Sequence, residues 1–130
     1  MSFMIDDENG IVQTVHLFSA LQIDIHERNR KWWYDQEGIK LDRNKGELLA
    51  LVHSEISECL EGVRKNCMDD HLPNRKMEEV ELADAVIRIL DYAEAFSLNV
   101  GAALIEKLRF NETREDHKIE AREKANGKKF

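Results

Sequence analysis

The sequence predicts an all-α protein, an antiparallel bundle of four main helices in a single domain spanning residues 1–130. Three observations carry that expectation. Glutamate, lysine, leucine and alanine are frequent while threonine occurs only at Thr14 and Thr113, a composition that favours helix over strand. One proline and six glycines leave few obligatory breaks. Apolar residues recur at helical spacing in four separate segments. With 42% hydrophobic and 35% charged residues, the chain can bury one modest core and is too apolar for disorder.

The first helix is expected from about Ile11 to Arg30. Ile11, Val15 and Phe18 share a side, and Leu17, Leu21 and Ile25 widen the stripe. It runs into the aromatic cluster Trp32-Trp33-Tyr34, and a polar loop follows to Asn44. There Asn44, with Glu47 three residues on, has the pattern of a capping box. The second helix then carries Leu48, Val52, Ile56, Cys59 and Val63 as its stripe and ends near Lys65. A loop containing Pro73 leads to the third helix, Met77 to Phe96. Val80, Leu82, Ala83, Val86, Ile87, Ile89, Leu90 and Ala93 cover most of its circumference, so it should be buried on most sides, in part by a partner chain. The fourth helix begins after Ser97 or Asn99 and runs through Leu104 and Leu108 past Arg114. Residues 118–130 form a charged tail that frays or folds back.

Several function classes are excluded. A net charge of −7 disfavours a general nucleic-acid binder and suits a protein that holds cations. No apolar run approaches the ~18 residues of a membrane span, and the acidic start MSFMIDDENG lacks the basic region of a secretory signal. A soluble, cytoplasmic protein is expected. Cys59 and Cys67 lack CxxC spacing and are too few for a disulfide scaffold. His16 and His53 stand outside any HExxH, which excludes a zinc protease, and no glycine-rich phosphate loop of the Walker type occurs. The Glu-x-x-His of di-iron bundles is also absent.

Acidic pairs at i, i+3 are common in so acidic a chain, so position on the helix matters more than spacing. At about 100° per residue, Glu55 falls at the edge of the apolar arc of the second helix and Glu58 about 60° further round. On the third helix Glu81, Asp84, Arg88 and Asp91 occupy a strip roughly 80° wide on an otherwise oily cylinder. Unpaired buried carboxylates cost several kcal/mol or take up a proton. Arg88 can neutralise one of them, with Asp84 at i−4 the expected partner, and the rest need a cation. For Asp91, pairing with Arg88 and a further ligand role stand equal. Two helices that each offer two carboxylates one turn apart can hold Mg²⁺, a hard ion that takes oxygen ligands and shares phosphates with its substrate. Lys107, Asn111, Arg114 and Lys118 lie at i, i+4, i+7 and i+11, one line down the fourth helix. Acids facing such a line suit metal-bridged phosphates. Trp32 or Trp33 offers an aromatic face to a base, with core packing the alternative. Asp69, Asp70 and Arg75 either cap the loop before the third helix or form a lid.

Glu55-x-x-Glu58 followed by Glu81-x-x-Asp84 resembles the signature of the all-α NTP pyrophosphatases, the MazG-like nucleotide pyrophosphohydrolases. HSEISECLEGVRKN, DDHLPNR, EVELADAVIRILD and KLRFNETREDHK extend the resemblance from about Asn29 to Lys118. The resemblance implies hydrolysis of nucleoside triphosphates to the monophosphate and pyrophosphate, in nucleotide-pool cleaning or control. It implies Mg²⁺ (with Mn²⁺ as substitute) held by Glu55, Glu58, Glu81 and Asp84. In the mechanism expected for such a site, Glu55 or Glu58 also orients the attacking water. The resemblance further implies nucleotide contacts from Lys107, Asn111 and Arg114, and assembly as a homodimer or a dimer of dimers. The loop from Tyr34 to Asn44 departs from the family pattern and leaves base choice open. The rival readings are phosphoribosyl-ATP pyrophosphohydrolase, which the Trp-Trp-Tyr segment and long first helix fit less well, and a non-catalytic helical module that binds a partner through its acidic strip.

Overall fold

The computed structural model describes residues 5–114 and 118–130. Among them the chain is all-helical, with α1 (Glu8–Arg28), a 3-10 turn (Arg30–Trp32), α2 (Lys45–Lys65), α3 (Met77–Ala95), α4 (Val100–Thr113) and α5 (Ile119–Glu123). The four expected main helices are present. Two isolated bridges, Tyr34 with Lys40 and Met68 with Lys76, are the nearest approach to strand pairing among the described residues. None of the described helices is long and apolar enough to cross a membrane. The chain divides into two compact units, residues 20–98 and residues 1–19 with 99–130.

The larger unit is built on α2 and α3. Asn44 caps α2 as expected, its side chain accepting from the Glu47 N–H at 3.0 Å. The helix stops at Asn66, which takes the left-handed conformation (φ 50°) that a short polar side chain tolerates at a helix end. Glu79 accepts from the Lys76 N–H at 3.2 Å and opens α3. The end of α2 meets the start of α3: a Cβ at Gly62 would lie 2.9 Å from Met77 Cβ and Cγ. The start of α2 meets the end of α3, where Leu48 and Ala95 join Trp33 in a small apolar core bordered by Tyr34, Tyr92 and Phe96. The two helices are therefore antiparallel, and Gly62, with no side chain of its own, lets α2 approach Met77 of α3 closely.

The faces they bury differ from the expected ones. α2 buries Leu48, Glu55, Cys59 and Gly62, while Ile56 and Val63 of its predicted stripe are exposed, as are Leu49 and Leu60. α3 buries Glu81 and Asp91 and leaves Leu82, Val86, Ile87 and Ile89 exposed. Within one chain the third helix is thus not covered on most sides. Acids and small residues share the buried positions of the pair with Leu48 and Leu90, and much of the oily surface of both helices faces outward.

In the smaller unit, Gly101 sits where a Cβ would come 2.7 Å from Phe18 Cβ, which brings α4 against the first half of α1. Asn99 caps α4 through the Ala102 N–H. The helix closes at Thr113, with Arg114 in extended conformation, so it does not run on past Arg114 as expected. Residues 115–117, which complete the KLRFNETREDHK match, lie outside the described residues. The tail folds back on itself: a Cβ at Gly127 would strike the carbonyls of Ala121 and Arg122.

Candidate metal centre

Three of the four predicted acids converge between α2 and α3. Glu55, Glu81 and Asp84 each present one carboxylate oxygen, and the three oxygens lie within 4.8 Å of one another. Glu55 and Glu81 are buried, and Asp84 is half-buried. Glu58 is exposed and stands outside this triad, yet its carboxylate is close enough to Glu81 to act on it by hydrogen bond and charge.

Glu81 carries the strongest chemical signal. Its residue is 8% exposed, and its Oε2 has no hydrogen-bond partner. Burial, then the neighbouring Glu55 and Glu58, push its carboxyl up to about 7. Burial, followed by the charge of Glu55, also raises Asp84, although Arg88 works against that rise. A buried carboxylate with an orphaned oxygen is costly unless a cation or a proton meets it. All donors in the triad are hard oxygens, the set that suits Mg²⁺ or Mn²⁺ rather than a soft metal. These residues fit such an ion.

Arg88 departs from expectation. Its Nε donates to Glu55 Oε1 at 2.7 Å, across the helix pair, and not to Asp84 on its own helix. Asp91 is neither paired with Arg88 nor placed in the triad. It accepts from His26 Nδ1 at 2.7 Å, Asn29 Nδ2 at 3.0 Å and Trp33 Nε1 at 3.0 Å. Since a carboxylate only accepts, His26 must carry its proton on Nδ1. Asp91 thereby ties the end of α1 and the 3-10 turn to α3.

Between these two acidic groups opens a cavity of about 460 Å³, lined among others by Trp32, Arg43, Glu55, Asp84, Arg88 and Asp91. Trp32 is 58% exposed at its rim. Trp33 is only 2% exposed. Its ring packs edge-on to Phe96 at 6.0 Å and lies under the Arg43 guanidinium at 5.0 Å, so packing is its main role. Asp69 caps its loop, its Oδ2 accepting from the N–H groups of His71 and Leu72, and Arg75 pairs with Glu79. Lys107, Asn111 and Arg114 lie on α4 and its C-cap, in the other unit. There Lys107 sits 4.8 Å and Arg114 5.9 Å from the Phe110 ring centroid, and Asn111 Oδ1 is buried without a partner. His16 and His53 are exposed. Both cysteines are free thiols, with Cys59 buried as expected.

The sequence did not point to Arg43 or to the His26–Asn29–Trp33 donors. Their only trace is the spacing 26, 29, 33 along one helical side, which is indistinguishable from ordinary helix periodicity. Comparison of the chain with protein-family models, curated proteins and solved structures finds no match.

Proposed function

We propose that the protein is a Mg²⁺-dependent nucleoside triphosphate pyrophosphohydrolase that converts NTPs or dNTPs to the monophosphate and pyrophosphate, with Mn²⁺ as a substitute ion. The observation that carries this reading is the orphaned, buried Glu81 Oε2 set among Glu55 and Asp84 at the side of a cavity with an exposed tryptophan. When bound, the ion would lower the pKa of a water and offset charge on the leaving pyrophosphate. Glu55, Glu81 and Asp84 would hold the ion. Glu58, at the exposed margin of the triad, is free to orient the attacking water. Trp32 offers the base a face, and the cavity volume lies within the ~300–1,000 Å³ of small-molecule sites. For Lys107, Asn111 and Arg114 a phosphate or sugar contact rests on the sequence resemblance.

The test is pyrophosphate release from each dNTP and NTP with Mg²⁺. Glu55→Gln should lose at least ~100-fold in turnover while keeping its helical circular dichroism. Retained turnover in that variant at saturating Mg²⁺ sinks the scheme. Release from phosphoribosyl-ATP alone supports the rival pyrophosphohydrolase. No release and no Mg²⁺ binding leaves the non-catalytic module.

A homodimer or homotetramer belongs to the same proposal. Its support is the number of large apolar side chains left exposed on α2 and α3, including Leu49, Leu60, Leu82, Val86 and Ile89, which favour contact with another surface. Light scattering should give a multiple of the chain's 15.2 kDa, reduced by Val86→Asp. A monomer at assay concentration overturns it.

A further inference from the structure

Arg88 is the one basic residue in the acidic strip of α3, and its observed partner is across the helix pair. Its Nε meets Glu55 Oε1 at 2.7 Å, and its side chain is 41% exposed. It lines the same cavity as Asp84, Arg43 and Trp32. The bond therefore joins a candidate ion ligand to a partly exposed cation that already borders the space where a polyphosphate would lie.

We propose that Arg88 is an exchangeable counter-ion, which holds Glu55 while the carboxylate triad lacks an ion and passes to the polyphosphate of the substrate when the ion takes Glu55. The role rests on the function proposed above. Charge dictates the exchange. A divalent ion beside Glu55 repels a guanidinium bonded to the same carboxylate, whereas a triphosphate in the cavity offers the planar, bidentate partner that arginine prefers. The guanidinium is 41% exposed while Glu55 is nearly buried, so breaking the bond is costly unless each charge gains a new partner; the ion and the polyphosphate together supply both. Arg88 then couples ion and polyphosphate. Alone, each meets an arginine that is occupied or misplaced; together, both are satisfied, which is positive cooperativity in the thermodynamic sense.

Two measurements test this on the full chain. Calorimetric titration with Mn²⁺ alone should show Arg88→Met binding the ion about fivefold tighter than the unaltered chain, and its nucleotide KM should rise more than its kcat falls. The second measurement needs no variant that could fail to fold. The Arg88 Nε–H resonance should shift when Mg²⁺ is added, and shift again with inorganic tripolyphosphate. Equal or weaker Mn²⁺ binding by a folded Arg88→Met overturns the counter-ion role, as does an Arg88 resonance that ignores both additions. Either result leaves the proposed function standing if the unaltered chain binds Mn²⁺. An unaltered chain that binds no Mn²⁺ overturns both.

Discussion

Helix α3 buries two carboxylates about three turns apart, and the two live in opposite surroundings. Asp91 is met by His26, Asn29 and Trp33, a set that uses its capacity and fixes the end of α1 on α3. Glu81 faces Glu55, Glu58 and Asp84, and one of its oxygens has no partner at all. The first acid is part of the architecture. The second is costly to the fold when ionised and is relieved by a proton or a cation. Burial alone does not separate the two, since they are 9% and 8% exposed; the identity of the neighbours does.

The sharpest way to break this contrast is to remove each acid in turn. Asp91→Ala leaves the buried Trp33 N–H and the half-buried His26 and Asn29 donors without this acceptor and should cost roughly 2–3 kcal/mol of unfolding free energy in urea. Glu81→Gln should do the reverse, raising the stability of the ion-free chain by about 1 kcal/mol at pH values where Glu81 is ionised, because it removes a like charge. On the proposed function, Mg²⁺ should stabilise the unaltered chain and leave Glu81→Gln unchanged. If both variants destabilise equally, the division into architectural and ion-holding acid fails.

The pH dependence sharpens the same contrast with a smaller effect. The folded-state value of Glu81 lies above its ordinary one, so protonation favours the fold. Stability from this group is fully present below its ordinary value of 4.5 and is lost as pH rises through about 7. Asp84, raised in the same direction, adds to the loss. The ion-free melting temperature should therefore fall across this window, and Mg²⁺ should flatten or invert the fall, since ionised carboxylates bind it best. A melting temperature that is level without Mg²⁺ would remove Glu81 from the centre of the site.

Much of this was readable along the chain. The loop cap at Asp69 is one of two readings, and helix position with the family resemblance picks out Glu55, Glu81 and Asp84 together with Glu58. The four main helices and the Asn44 cap follow from spacing and residue type. The buried face of α2 did not. Apolar periodicity placed Glu55 at the edge of a stripe through Ile56 and Val63, whereas the helix pair closes along Glu55, Cys59 and Gly62. Hydrophobic pattern reports which residues gain by leaving water. It does not say which of them the fold of the chain covers. Arg88 shows the same limit in miniature: along one helix Asp84 is its natural partner, but a facing helix placed Glu55 within reach.

Local chemistry, then, belongs to the sequence. Helix propensity, caps and the supply of hard oxygen ligands are properties of single residues and near neighbours, and they need no fold to be read. Which acid is paired, which is stranded and which tryptophan stays open are relations between residues distant in the chain. Asp91 reaches His26 across 65 positions, and only the folded chain brings them together. Tertiary structure made that choice because a buried charge is governed by what surrounds it, and its surroundings come from elsewhere in the chain.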